Sequence, residues 1–181
     1  SHFIGKWHVG MATHGHTPQG RGFDSSLGYF HSYNDYFTSR RAKDTSCDNE
    51  AFVDLWDTDR PARTLNGTGP QGGFEDGLFM ERALGIVGAH DPATPLFLYF
   101  ALHTSCVAAH NTLEAPPDYY AKFAFIDNED RRKNHAMINY MDDIVGNLTA
   151  KLRERGLWDD TLFVWASDNG GAVHLGGGAN S

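Results

Sequence analysis

Two side chains near the start of the chain are of a kind that can do chemistry together. The stretch Gly5-Lys6-Trp7-His8 follows the apolar pair Phe3-Ile4. In a strand, residues i and i+2 face the same side, so Lys6 and His8 project together if the strand reaches His8, and Trp7 points away. A fixed cation beside a proton-carrying imidazole suits an anion. Far along the chain, Asp168-Asn169 precede Gly170-Gly171. A carboxylate beside a carboxamide offers hard oxygen donors of the kind calcium or magnesium takes, and the glycines permit a tight turn around a ligand. Between them, His103 and His110 follow an apolar run. Taken singly, each has a plainer reading: an edge-strand lysine, a surface histidine, a turn after a strand. His14 and His16 read as surface residues of a polar loop, and the Met137 and Met141 stripe as core.

Periodicity supplies the elements that must position these residues. Residues 2–8 read as a short strand, Gly10 to Gly20 as a polar loop, and Arg21–Ser25 followed by Gly28-Tyr29 as a turn-rich stretch. Residues 38–74 form a long, mostly irregular insertion. Leu78, Phe79, Ala83, Ile86 and Val87 recur at helical spacing, which predicts a helix over 75–90 closed by Pro92 and Pro95. The continuous apolar run from Leu96 to Leu102 predicts a strand buried on both faces, followed by a loop over 103–127. Met137, Met141, Ile144, Leu148 and Leu152 predict a helix over 129–155 with Gly156 as its stop. Leu162-Phe163-Val164-Trp165-Ala166 predicts a second buried strand leading into Asp168. Strands alternating with helices give an α/β fold, a mainly parallel central sheet with flanking helices. Ligands gather beyond the C-terminal ends of such strands. Lys6 and His8, the loop of His103 and His110, and Asp168 with Asn169 follow three strand ends and are therefore expected on one edge. The heads of Lys6 and His8 are expected within about 10 Å of the Asp168 and Asn169 oxygens, the span of an ion and its bound anion.

Composition narrows the partners. The chain has 181 residues, with 15 basic and 23 acidic side chains and a net charge of −8. That disfavours general binding to nucleic acid or to an anionic membrane surface, but not a small anion in a locally basic pocket. No apolar run has the roughly 20 residues needed to span a bilayer. The first residues do not read as a signal peptide, and the chain reads as the central part of a longer protein. Cys47 and Cys106 leave their pairing open. The sequons at Asn66 and Asn147 point to glycosylation and a secretory or lysosomal route if the source is a eukaryote.

Together the motifs resemble the type I sulfatases. "GKWHVG", "TPQGRGFDSSLGY", "NDYF", "PLFLYFAL", "HNTLEAP" and "MDDIVGNLTAKLRERGLWDDTLFVWASDNGG" follow in that family's order. The match is closest to the arylsulfatase B-like (N-acetylgalactosamine-4-sulfatase-like) branch and weakest over 38–74. The resemblance implies an incomplete alkaline-phosphatase-like fold, with residues 1–181 as the central part of a catalytic domain that hydrolyses sulfate esters. It implies calcium and a formylglycine made from a cysteine by the formylglycine-generating enzyme. Carried over by position, Lys6 contacts sulfate, His8 is the catalytic base, and His110 binds sulfate. Asp168 and Asn169 are calcium ligands.

Some parts of the family pattern are missing. Neither Cys47 nor Cys106 lies in a Cys-x-Pro-x-Arg motif, and the early aspartate pair of the calcium site has no counterpart. The chain by itself is therefore expected to be inactive. Substrates implied are sulfated carbohydrates or aryl sulfates. Two other functions fit the same residues: a phosphodiesterase or phosphonate hydrolase of the same superfamily, and a non-catalytic sulfatase-like protein that holds glycans.

Overall fold

The computed structural model describes residues 1–41, 52–65, 67–108 and 112–171. His110, Asn66, Cys47 and the glycine-rich stretch after Gly171 lie outside them. Strands β1 (His2–Lys6) and β2 (Ser25–Tyr29) are followed by four two-residue strands: β3 (Arg40–Arg41), β4 (Phe52–Val53), β5 (Trp56–Asp57) and β6 (Arg60–Pro61). Helix α1 (Pro70–Gly73) leads into α2 (Glu75–Ala89), then β7 (Leu98–Ala101), α3 (Pro117–Lys122) and α4 (Glu129–Glu154). The main sheet has the order β6-β5-β2-β1-β7. Its centre is parallel, β1 pairing with β2 and with β7, and an antiparallel hairpin of β5 and β6 extends one side. The result is a mixed sheet with flanking helices, in which the expected parallel α/β core is present.

Two glycines set the spacing of the centre. Gly5 stands opposite both Gly28 and Ala101. A Cβ on Gly5 would lie 1.8 Å from the Ala101 carbonyl oxygen, and one on Gly28 would lie 2.0 Å from that of Gly5. Gly5 also has a φ of +100°, which side-chain-bearing residues rarely adopt. Its glycine and serines make β2 look like a turn in the sequence, yet it is the strand between β1 and the hairpin. Small residues are needed there because the strands approach so closely.

Helices α2 and α4 cover one face. Phe79, Ala83 and Val87 of α2 and Leu148 and Leu152 of α4 bury against Ile4, Leu27, Tyr29 and Leu55. The N-terminal half of α4 joins a second cluster through Met137, Tyr140 and Ile144, packed on Tyr36 and Phe74. Each fully buried side chain of this size contributes about 1.5–3 kcal/mol. The long helix is well capped. Asn128 accepts from the Arg131 N–H at 2.9 Å, Lys151 and Arg153 occupy the last turn, and Gly156 has a φ of +67°. Arg82 ties α2 to the hairpin through two bonds to Asp57, at 3.1 and 2.8 Å, and this holds the Asp57 carboxyl below its ordinary range. On the other sheet face, Phe3 stacks on Tyr99 and meets Trp7 edge-on. The Trp7 indole N–H donates to the Gly10 and His16 carbonyls and so anchors the loop that follows β1.

Several elements differ from the sequence-based expectation. Within 38–74 the described residues contribute two short strand pairs and α1. Among the described residues β7 is an edge strand, with Tyr99 54% exposed, not one buried on both faces. Leu162–Ala166 forms no strand. Leu162 is 89% exposed, and among the described residues no strand runs beside this segment to accept its hydrogen bonds. A strand is stable only with a partner, however apolar its sequence. Among the described residues no helix is long and apolar enough to cross a membrane.

The start of α2 holds the loop after β7 through buried acids. Asp76 accepts the His103 N–H at 3.0 Å and both the N–H (2.6 Å) and the hydroxyl of Thr104. Glu75 bonds to His103 Nδ1 at 3.0 Å and accepts from Asn34 at 3.1 Å. The His103 ring lies 3.8 Å from that of Tyr36, stacked, and the Tyr36 hydroxyl donates to the His103 and Cys106 carbonyls. Burial raises Glu75 to about 8 and Asp76 to about 6, and lowers His103 to about 4. Between pH 4 and 6.5 these shifts oppose one another. Above 6.5 Glu75, and Glu114 that burial raises to about 7, still hold protons in the folded state that they lack unfolded, so stability falls as pH rises towards 8.

Two outcomes follow for the full-length protein. Wild-type stability is expected to drop by about 1–2 kcal/mol between pH 6.5 and 8. Glu75→Gln, which imitates the protonated acid, should remove the larger part of that slope in melting curves taken at the two pH values and leave the share of Glu114. Gly28→Ala is expected to cost about 1–3 kcal/mol in denaturant unfolding, because the new methyl meets backbone that cannot rotate away.

Candidate active site

Three parallel strands end on one edge of the sheet, and the polar residues that follow them meet there. Lys6 is the last residue of β1. The backbone pairing runs on past it: Trp7 N donates to Tyr29 O at 3.0 Å and His8 N to Phe30 O at 3.2 Å. The side-chain alternation does not, because His8 has a φ of +47°. His8 therefore turns out of the strand into an exposed position instead of standing in line above Lys6. Its backbone lies in a region that is uncommon for a residue with a Cβ.

Asp168 reaches this edge from the far end of the sequence. Lys6 Nζ and Asp168 Oδ2 are 3.4 Å apart across 162 residues of chain. Lys6 is mostly enclosed and Asp168 mostly open to solvent. His8 shares their field. Its pKa is lowered by partial burial first, then by the positive charges of Lys6, His31 and Arg41, while Asp168 opposes them. The edge is therefore locally basic on a chain that is acidic overall. A neutral imidazole held near such cations can take a proton at neutral pH while the cations bind an anion.

Asn169 lies beside Asp168. Its Nδ2 donates to the Gly170 carbonyl at 2.9 Å, and its own carbonyl accepts from Ser167 Oγ at 2.6 Å. The side-chain oxygens of Asp168 and Asn169 are hard donors suited to calcium, and two such residues fill only part of a shell of six to eight oxygens. Among the described residues no group of three or more His, Cys, Asp or Glu side chains is gathered to hold a metal. His14 and His16 are exposed loop residues, His16 bonding to Thr13 at 2.9 Å.

The other sequence candidates divide. His103 is fully enclosed within the Glu75 network. His110 lies outside the described residues. Cys106 is a free thiol, pushed up in pKa by burial with Lys6 opposing, which makes it a poor nucleophile. Asn147 is exposed on α4, its amide 3.6 Å from Met80 Sδ. Sequence reading missed His31 and its buried partner Asp54, 2.8 Å away, because β2 did not read as a strand. A groove of about 640 Å³ lies at the opposite end of β1, among Leu27, Leu65, Leu78, Arg82, Ile86 and His90. It is mainly apolar and lacks the convergent polar groups found beyond Lys6.

Comparison with known proteins places this geometry. Mouse (Mus musculus) Arylsulfatase J is 32% identical over 179 residues, covering 98% of this chain and 28% of that protein. The uncharacterized sulfatase YdeN of Escherichia coli (strain K12) is 24% identical over 181 residues, covering 94% of this chain and 30% of its own length. The crystal structure of Ps i-CgsB in complex with k-i-k-neocarrahexaose superposes with a TM-score of 0.79 at 26% identity. It covers 99% of this chain, which spans 39% of that one. The chain thus spans about a third of the length of these relatives. The family model described as Sulfatase matches residues 1–180, and the chain belongs to the sulfatase family.

Proposed function

We propose that the protein containing this chain hydrolyses sulfate esters, and that residues 1–181 are the central part of its catalytic domain. The observation that carries the reading is the contact of Lys6 with Asp168 beside His8, on the C-terminal edge of a sheet whose family is that of sulfatases. Lys6 binds and polarises the sulfate. Negative charge builds on the sulfate oxygens and the departing oxygen, and a fixed, mostly enclosed cation stabilises it. His8 takes up a proton near neutral pH, its affinity for that proton reduced by burial and by Lys6. His110 is proposed to bind sulfate alongside them.

Asp168 and Asn169 would hold calcium together with ligands from the rest of the protein. The ion, when bound, supplies positive charge for the sulfate oxygens. The nucleophile is proposed to be a formylglycine, made from a cysteine in another segment by the formylglycine-generating enzyme. Cys106 does not lie in a Cys-x-Pro-x-Arg motif, which supports a nucleophile from elsewhere. A sulfated carbohydrate is the substrate class best supported, because a structural neighbour is complexed with an oligosaccharide. The Asn66 and Asn147 sequons support glycosylation and a secreted or lysosomal location, Asn147 being exposed.

The full-length protein is expected to release sulfate from 4-nitrophenyl sulfate. Lys6→Ala should reduce kcat/KM by about 10²–10³-fold, as loss of a preorganised charge partner does, and His8→Ala should reduce kcat. Steady-state kinetics near wild-type for both variants would remove these residues from the mechanism. The 181-residue chain alone should show no turnover in the same assay, since it brings no activated nucleophile. Hydrolysis of a phosphodiester but not a sulfate ester by the full-length protein would favour the phosphodiesterase reading. Glycan binding with no hydrolysis would favour the non-catalytic one.

A further inference from the structure

His31 stands just beyond β2, on the edge that carries His8, whose backbone N–H bonds to the neighbouring Phe30 carbonyl at 3.2 Å. Its ring is held from beneath. Nδ1 lies 2.8 Å from Asp54 Oδ2, and that same oxygen accepts the backbone N–H groups of Phe30 (3.1 Å) and His31 (2.9 Å). The other carboxylate oxygen accepts the Trp56 indole N–H at 2.9 Å. Asp54 is buried, and three N–H donors besides the imidazole already satisfy it. The carboxylate therefore does not require the ring. The ring is what the carboxylate orients, as a buried acid behind a functional histidine does.

With Nδ1–H committed to Asp54, Nε2 is the ring nitrogen left for an outside group. Phe52 packs edge-on against the ring at 5.3 Å and limits its rotation. The side chain is one-fifth exposed and close enough to His8 to affect its proton affinity. Sulfate esters of sugars carry further oxygens beside the ester. We infer that His31 is a substrate-contacting, specificity-determining residue of the His8 site, its Nε2 receiving a hydroxyl or oxyanion carried on the leaving group next to the sulfate ester. This rests on the sulfatase reading, and Asp54 serves it as a positioning residue.

The test uses the full-length protein and two aryl sulfates, 4-nitrophenyl sulfate and 4-nitrocatechol sulfate, which differ by one oxygen beside the ester. The readout is the ratio of their kcat/KM values within one preparation, so reduced folding yield cancels. His31→Asn keeps a partner for Asp54 but removes the outer nitrogen. It is expected to lower the catechol-to-phenyl ratio about tenfold, chiefly through KM. His31→Gln carries an amide out towards the Nε2 position and should hold the ratio within about threefold of wild-type. Equal ratios in all three proteins would overturn the inference. So would the reverse order, with Asn retaining the ratio and Gln losing it, which is the signature of mere support for Asp54. A wild-type protein that hydrolyses neither compound would sink the sulfatase reading and this inference with it.

Discussion

The rung formed by Gly5, Gly28 and Ala101 is the constraint on which the rest of the molecule depends. At this level three strands lie so close that a methyl group on either glycine would overlap a carbonyl oxygen of the next strand. Lys6 comes one residue later, and the ends of β2 and β7 lie at the same height. The spacing of the rung is therefore passed directly to the residues that leave the sheet beyond it. A wider sheet would move the His31 backbone away from His8 and the His103 loop away from Lys6. The positive φ at His8 completes the arrangement, because it lifts that imidazole out of line with the strand while its N–H still pairs with β2.

Behind this edge the molecule places unusually polar groups in its interior. Glu75, Asp76, His103, Asn34 and Asp54 are all buried. Isolated buried charge is costly, and these groups avoid that cost by hydrogen bonding and, at Glu75, Asp76 and His103, by shifts towards neutral forms. They act on backbone more than on each other. Asp76 takes the N–H groups of the loop after β7, and Asp54 takes those at the end of β2. Both carboxylates thus accept N–H groups beyond the ends of the strands and fix the segments that leave the sheet there. An apolar core could support the strands equally well, but it offers no acceptors for such segments.

Much of this was legible in the sequence where one rule acted alone. Residues 75–89 and 129–154 carry clear helical periodicity, and both are helices. The parallel order of β1 and β7 followed from the α/β alternation. The signals that failed were those in which tertiary context decides. Ser25–Tyr29 does not read as a strand in part because the close approach of Gly5 leaves room only for a glycine at 28. Leu162–Ala166 has the composition of a core strand, but pairing, not composition, makes a strand. The approach of Asp168 to Lys6 was expected from three shared strand ends, and the contact is present although 162–166 forms no strand. The His31–Asp54 pair was not, since it requires a strand at 25–29 and a carboxylate from a stretch read as irregular.

The ion pair at the centre of the site is informative for its weakness. Asp168 is two-thirds exposed and its oxygen lies 3.4 Å from Lys6 Nζ. Pairs open to solvent contribute about 0–1 kcal/mol, so this one does little to hold the fold together. What places Lys6 is the strand beneath it. Its charge is thus fixed in position without being committed to a strong partner. An incoming anion has only a screened, long contact to displace, and it meets a cation that is already mostly desolvated. Had Lys6 been locked by two short bonds to a half-buried carboxylate, as Arg82 is to Asp57, binding an anion would first require breaking that pair. The chain keeps its strong ion pair between α2 and the hairpin, where it supports the fold, and leaves a weak one on the edge where an anion can take its place.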